Sequence, residues 1–188
     1  MDFPAFLFKD RSLVRHGAEG LEAYLLSNEL YGPPSYEGGL DLASRLTVGT
    51  LLLAAARLAI LADGQDDLLD ANLAYIKDTR ETWRSHWQKK AARELDARLS
   101  LWSEFLDGWL GSPAGRKDAY AIGARNRAII HLLLQNTGTI AQAQLDWISG
   151  CDRRLLASTV EGAFVWEVEL ADNFPQPDWW FLYRSRTR

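Results

Sequence analysis

The chain has 188 residues, of which 47% are hydrophobic and 24% charged, and its formal net charge is −4. This length and composition suit a single globular domain with a sizeable core and exclude disorder of the whole chain. The negative balance speaks against a dedicated nucleic-acid-binding protein, which carries a basic excess. The single cysteine, Cys151, excludes an intrachain disulfide and suits a reducing compartment, so we expect a soluble, cytoplasmic protein.

The N-terminal stretch MDFPAFLFKD lacks the basic start of a secretory signal, and Pro4 interrupts its apolar run. We expect a short arm here, with Phe3, Phe6 and Phe8 packed against the body of the protein. A first helix is predicted over residues 12–30, capped by Asp10 or Ser12.

The second segment, LTVGTLLLAAARLAILA, is the most apolar of the chain and covers residues 46–62. Its length is at the lower limit for crossing a bilayer, and Arg57 lies inside it. We therefore predict no transmembrane span. A helix over residues 40–62, surrounded by other helices, explains the apolar character better.

The third segment is unusual because residues 66–107 contain neither Gly nor Pro. Asp66 or Asp67 is expected to cap a helix there. A continuous helix over residues 66–110 would be about 68 Å long, which is too long for a compact domain of this size. Either the helix breaks near its middle, or it projects from the core and needs a partner; the sequence leaves both possibilities open.

Tryptophans and aliphatic residues fall on one face of this long segment at 100° per residue. Several charged residues fall inside the same arc, and burying them without partners would be costly. The alternatives are a helix that leaves the core at this point, and an interface or polar pocket, since Trp and Arg are enriched at binding hot spots. The candidate interaction residues here are Arg80, Trp83, Arg84, Trp87, Glu94 and Arg98.

Two more helices complete the pattern. One is predicted over residues 117–136. The other begins at Thr139, has an apolar stripe that includes Trp147 and continues through Leu170, and ends before Pro175; Gly150 and Gly162 could bend or split it. The fold class is therefore all-α, an antiparallel helical bundle of four to six helices with one unusually long central helix. Residues 1–174 form a single helical-bundle domain, and residues 175–188 form an aromatic and basic C-terminal tail.

The tail reads PQPDWWFLYRSRTR, and its large apolar residues must be covered or will bind another surface. Trp179, Trp180 and Tyr183 are therefore candidate interaction residues. They could pack back on the bundle or dock another subunit. With Arg184, Arg186 and Arg188 they also suit peripheral contact with an anionic membrane.

No pattern in the chain points to catalysis. Phosphate-binding, dinucleotide-binding and nucleophile-elbow glycine motifs are missing, so catalytic and cofactor-binding residues stay unknown and no cofactor is predicted. His16, His86 and His131 lie on three different predicted helices. Nothing in their spacing requires them to converge on a metal, so no metal site is predicted.

These observations predict a non-enzymatic interaction or scaffold protein, homo-oligomeric through the Trp/Arg-striped helix and the aromatic tail. One alternative is a helical-bundle enzyme, or a small-ligand or metal-binding protein, with a site between helices near Trp87 and His131. A further alternative is a nucleic-acid-associated regulator that binds phosphates through Lys89 and Lys90, which the net charge makes the weakest of the three.

Overall fold

The structure, a computed structural model, describes residues 4–33, 45–61, 66–111 and 117–186. Two sequence predictions fall outside these residues, the packing of Phe3 and the role of Arg188. The second helix does not begin at residue 40 as predicted: it begins at Val48, because Thr47 is extended and caps it. The regular secondary structure of the described residues is helical apart from one pair of three-residue strands, which confirms the predicted all-α bundle.

Six helices of eleven residues or more form the body of the described chain, and three-residue strands and a four-residue helix follow them. The elements are α1 (Phe8–Leu26), α2 (Val48–Leu58), α3 (Asp67–Thr82), α4 (Arg84–Gly111), α5 (Lys117–Leu134), α6 (Gln142–Ser158), β1 (Thr159–Glu161), α7 (Gln176–Trp179) and β2 (Arg184–Arg186). Single turns of 3₁₀ helix cover Ala5–Leu7 and Ala59–Leu61, and longer ones cover Val168–Asn173 and Trp180–Tyr183.

Helix α4 is the long central helix, with 28 residues and a length of about 42 Å. It packs against α5, α6 and α2, and α1 packs on α2 and α3. Trp87, Leu95, Leu99, Trp102 and Leu106 of α4 are buried and lie in the one core that joins these helices. The long segment therefore finds its cover within its own chain.

The long segment breaks into α3 and α4 at Trp83, whose φ of −103° and ψ of 32° lie outside the helical region. Backbone hydrogen bonds continue on both sides, from Trp83 N–H to Thr79 O and from Trp87 N–H to Trp83 O. Asp66 caps α3, as predicted, by accepting a hydrogen bond from the backbone N–H of Leu69. The long segment therefore forms two helices and not one continuous helix. No residue type at the junction explains the position of the break.

The last predicted helix is shorter than expected. It begins one turn after the predicted Thr139 start, at Gln142, and ends at Ser158 instead of continuing through Leu170. Thr159 leaves the helix in an extended conformation and pairs with Arg186, so that β1 and β2 form an antiparallel ribbon. The backbone groups of β1 therefore pair with those of β2 and are not available to extend α6.

Helix α1 also differs from its prediction. It begins at Phe8, and neither Asp10 nor Ser12 caps it; the N-cap position is Leu7. Asp10 instead lies buried and accepts a 2.8 Å hydrogen bond from Nε of Arg57, the charged residue of the apolar helix α2. Arg57 is therefore paired inside the bundle. Phe6 packs partly against the core, but Phe8 is 67% exposed and does not pack inward as predicted.

None of the described helices is both long enough and apolar enough to cross a membrane.

Candidate interaction surface

The α3–α4 junction brings together the first four predicted site residues. The guanidinium of Arg80 lies 5.7 Å from the ring centre of Trp87, and Trp83 is half-buried beside the junction. Arg80 and Arg84 are exposed, whereas Trp87 is buried and its Nε1 donates a 3.3 Å hydrogen bond to Oδ1 of Asn136 on the chain after α5. The junction therefore exposes Arg80, Arg84 and part of Trp83, whereas Trp87 belongs to the core.

Glu94 and Arg98 lie in the core, away from that junction. The carboxylate of Glu94 is fully buried and accepts hydrogen bonds from Thr47 Oγ1 at 2.6 Å, from the backbone N–H of Gly49 at 2.7 Å and from Nε of Arg98 at 3.0 Å. Nη1 of Arg98 donates to Oδ1 of Asn126 at 2.9 Å. This network joins the N-terminus of α2 to α4 and α5, so both charges hold the bundle together and line no surface.

The aromatic residues of the C-terminal segment pack back on the bundle. Trp179 is buried, with its ring centre 4.5 Å from that of His131 on α5. Tyr183 is half-buried and its hydroxyl donates to the carbonyl of Phe174 at 2.9 Å, and Trp180 is also half-buried. Trp179 therefore covers part of α5, Trp180 and Tyr183 pack against the core, and only parts of these last two reach solvent.

The arginines of the same segment bind helix ends. Arg186 donates through Nη1 to Trp109 O at 3.2 Å and through Nη2 to Leu110 O at 2.8 Å, at the C-terminus of α4. Arg184 donates to Oγ1 and to the carbonyl of Thr159 at the end of α6. Cations are favourable at these negative helix ends. Arg184 and Arg186, which the sequence suggested as contacts to a membrane, therefore bind backbone and side-chain groups of their own chain.

The histidines do not meet. His131 lies against the C-terminal segment, His86 lies edge-on to Trp83 with ring centres 5.5 Å apart, and His16 lies on α1. Within the described ranges, no group of three or more His, Cys, Asp or Glu side chains is placed to hold a metal ion. Burial, and then the neighbouring charge of Arg127, lower the pKa of His131 below its ordinary value.

The basic run after the α3–α4 junction is only partly available to phosphates. Lys90 is buried, where its Nζ donates to Ser27 Oγ at 3.1 Å and also to the carbonyl of Glu29. Burial lowers the pKa of Lys90, and the charge of Arg93 adds to this effect. Arg93 donates to the carbonyl of Asn28 at 3.0 Å. Both cations therefore hold the turn after α1, and Lys89 alone of the two predicted lysines is exposed.

A surface on α6 is the feature that the sequence did not single out. Trp147 is 44% exposed, although the spacing of the apolar residues had placed it on the buried stripe of this helix. It borders a shallow groove of about 530 Å³ between α6 and α4. The groove is lined by Ser103, Trp147, Gly150, Cys151, Arg153, Arg154 and Ala157. We call this set the α6 groove.

Two features shape the α6 groove. Gly150 has no side chain, and a Cβ built on it would meet only Nη2 of Arg153, at 3.9 Å, within 4 Å. Arg154 forms an ion pair with Asp107 of α4, which fixes one edge of the groove. Cys151 is buried beneath, and burial raises the pKa of its thiol. The floor is thus a buried thiol and the backbone at Gly150, with an indole at one end and guanidinium groups at the other.

The sequence contained one signal for this surface. On a helical wheel, Trp147 lies about 100° from Ile148 and about 80° from Leu155, so it stands at the edge of the buried stripe and not at its centre. Ile148, Cys151 and Leu155 are the buried residues of α6. The presence of Gly150 one turn further along the exposed side would have marked a place where another backbone can approach.

Comparison of the chain with family models, with curated proteins and with solved structures finds no match.

Proposed function

We propose that this protein is a non-enzymatic interaction protein that self-associates as a symmetric dimer through the α6 groove. The observation that supports the proposal is the large exposed indole of Trp147 beside a groove whose centre, Gly150, has no side chain. Tryptophan is the side chain most enriched at binding hot spots, and it contributes most when its pocket becomes dry on binding.

The groove is self-complementary about Gly150. Trp147 precedes this glycine by three residues, or about 4.5 Å along the helix axis, and Arg153 follows it by the same distance. All three lie on one side of α6, each within about 60° of Gly150 around the helix. If two copies of α6 cross antiparallel at Gly150, Trp147 of each copy meets Arg153 or Arg154 of the other.

A two-fold axis at Gly150 would form every such contact twice, as in the closed interfaces of most homodimers. A guanidinium over an indole contributes about 0.5–1 kcal/mol at an exposed site and about 2 kcal/mol or more when water is excluded. Because Gly150 has no side chain, the two helix backbones can approach closely. Close approach excludes water from the contact, and the larger of the two energies requires that exclusion.

The charges of the groove favour a second copy over a nucleic acid. Arg154 is already paired with Asp107, and Glu104 and Asp146 are exposed on the two helices that form the groove. A polyanion would meet these carboxylates, whereas a surface that carries both signs suits another copy of itself. The overall charge of −4 also disfavours a polyanionic partner.

The proposal keeps the predicted self-association and moves its location. The long helix and the C-terminal segment, which the sequence suggested as the contact, bury Trp87, Glu94, Arg98 and Trp179 within one chain. Those four residues support the fold of each copy. The alternative of a ligand site between helices near Trp87 and His131 gains no support, because each side chain contacts another element of the same chain there.

Sedimentation equilibrium from low to high micromolar concentration tests the proposal. We expect a monomer–dimer equilibrium that Trp147→Ser weakens by roughly 30-fold, the loss typical of a hot-spot residue. Gly150→Leu should also separate the copies, since its side chain would occupy the crossing point. Arg153→Gln should weaken association without touching the groove floor.

The matched control is Ile122→Ser, because Ile122 is 75% exposed on α5, outside the groove. It should leave the association constant unchanged, and circular dichroism should show that all four variants remain folded. A protein that is monomeric at every concentration overturns the proposal. So does a dimer that persists in both Trp147→Ser and Gly150→Leu.

A further inference from the structure

A second cleft lies on another part of the molecule, between the beginning of α1 and the beginning of α3. It has a volume of about 280 Å³ and is lined by Phe8, Arg11, Ser12 and Arg15 of α1 and by Leu68, Leu69 and Asn72 of α3. Phe8 is 67% exposed and Leu68 is 59% exposed, while Leu69 is buried in the core. The cleft thus has apolar residues on both helices that form it.

Cationic groups lie along one side of the cleft. Arg11 and Arg15 are four residues apart on α1 and therefore share a face. Arg11 forms a 2.6 Å ion pair with Asp66, which also caps α3, so its charge is balanced. Arg15 is exposed and brings a second positive charge to the cleft.

The residues that line the cleft do not include Asp67 and Asp70, the two acidic residues in the first turn of α3. Asp67 and Asp70 are separated from Leu68 by about 100° and 160° around the helix, whereas Asn72 lies within about 40° of it. Both aspartates are exposed. The cleft is therefore apolar and locally positive, with one balanced ion pair at its edge and the Asn72 side chain facing it.

We propose that this cleft binds a small organic anion with an apolar body, a medium-chain carboxylate in its simplest form. Phe8 and Arg15 are seven residues apart, so they lie on nearly the same line of α1 about 10 Å from one another. An extended alkyl chain placed against Phe8 and Leu68 brings its carboxylate to Arg15. The volume is just below the range of about 300–1,000 Å³ for ligand pockets, which fits a small ligand.

The inference is independent of self-association, because the α6 groove and this cleft are formed by different helices. The probe is decanoate below its micellar concentration, and decylammonium is the matched cation of equal length. Backbone amide chemical shifts of the ¹⁵N-labelled protein report binding. We expect decanoate to shift the amides of Ser12, Leu69 and Asn72 in a saturable way, and decylammonium to bind more weakly.

Variants separate the two contributions. Arg15→Gln should weaken decanoate binding by up to about fivefold, the most that an exposed charge pair provides, and should leave decylammonium no weaker than before. Leu68→Ser should weaken both probes by about tenfold, because each loses the same apolar wall. Leu156→Ser is the control, since Leu156 is 46% exposed on α6 and should change neither constant.

Three results would overturn the proposal. One is the absence of shifts at the cleft amides. Another is equal affinity for decanoate and decylammonium, which would make the cleft an apolar groove without charge selectivity. The third is a change in the cleft amide shifts with protein concentration in the absence of ligand, with no such change at the α6 groove, which would assign this face to a second copy of the chain.

Discussion

The backbone N–H of Gly49, in the first turn of α2, donates a 2.7 Å hydrogen bond to Oε2 of Glu94 on α4. Forty-five residues separate the two in sequence. The contact places a buried carboxylate at the positive end of a helix, where an anion is favourable. Arg98 then completes the charge balance within the core, through a hydrogen bond of 3.0 Å from its Nε.

Glu94→Gln should strongly destabilise the protein. The change leaves the buried guanidinium of Arg98 without its counter-ion, and breaking a buried ion pair from one side costs about 3–5 kcal/mol. Urea unfolding followed by circular dichroism measures the loss. Glu104→Gln, on the exposed side of the same helix, should stay within about 0.5 kcal/mol of the unchanged protein. A loss below about 1 kcal/mol for Glu94→Gln would contradict this account.

Gly49→Ala and Gly20→Ala should have opposite effects on stability. A Cβ on Gly49 would lie 2.4 Å from Cγ2 of Ile129 and 2.8 Å from Oε1 of Glu94, so the core and the carboxylate must both shift. We expect a loss of about 1–3 kcal/mol, as for other overpacked sites. Gly20 has no neighbouring atom within 4 Å of its Cβ position, and alanine should stabilise α1 by up to about 1 kcal/mol. Equal effects at the two positions would exclude the close approach as the cause.

His131 should make the stability of the protein depend on pH. Burial first, and then the charge of Arg127, lower the pKa of His131, so the folded state favours the neutral imidazole. The resulting stabilisation is present above the unfolded pKa of about 6.5 and is lost as the pH falls through the lower folded pKa.

The measurement is the free energy of unfolding between about pH 8 and about pH 5, across the range in which histidine titrates. His131→Gln should remove part of the loss of stability on acidification. His16→Gln, which removes a histidine from α1, is the comparison and should retain more of that slope. A larger effect of the α1 variant would refute the assignment.

Trp179→Ala and Trp147→Ala should separate folding from association. Trp179 is buried against His131 and Phe174, with ring centres 4.5 Å and 4.8 Å away, so its removal should cost about 3–5 kcal/mol. Trp147 is 44% exposed, and its removal should change stability little. Thermal unfolding of the two variants at one low protein concentration makes the comparison. A Trp179→Ala variant that keeps its full stability would restore the C-terminal segment as a candidate contact surface.

The helices were predictable where local rules dominate. The 117–136 prediction and α5 (Lys117–Leu134) differ by two residues at one end, because an apolar spacing of three and four residues needs no tertiary information. The break at Trp83 was not predictable in position, because neither Gly nor Pro occurs near it. The end of α6 at Ser158 was not predictable either, because β2 draws Thr159 into a strand.

The candidate site depended even more on tertiary structure. Helical geometry placed Arg80, Trp83, Arg84 and Trp87 on one face, but the helix breaks at Trp83, and Trp87 is buried whereas both arginines are exposed. It could not show that Glu94 meets Gly49 and Thr47, since these residues lie on a different helix. The exposure of Trp147 could not be predicted for the same reason, because it depends on which side of α6 faces α4.

By itself, the sequence determined that this chain forms an all-α bundle, with Arg57 inside an apolar helix and with a large share of its tryptophans on one long segment. Those features follow from periodicity and from the positions of Gly and Pro, which act within a few residues. The tertiary structure alone decided which charges are buried, which aromatic residues cover the core and which remain exposed. That outcome follows from pairings across more than forty residues, since a buried charge is tolerated only where a distant helix end or side chain supplies its partner.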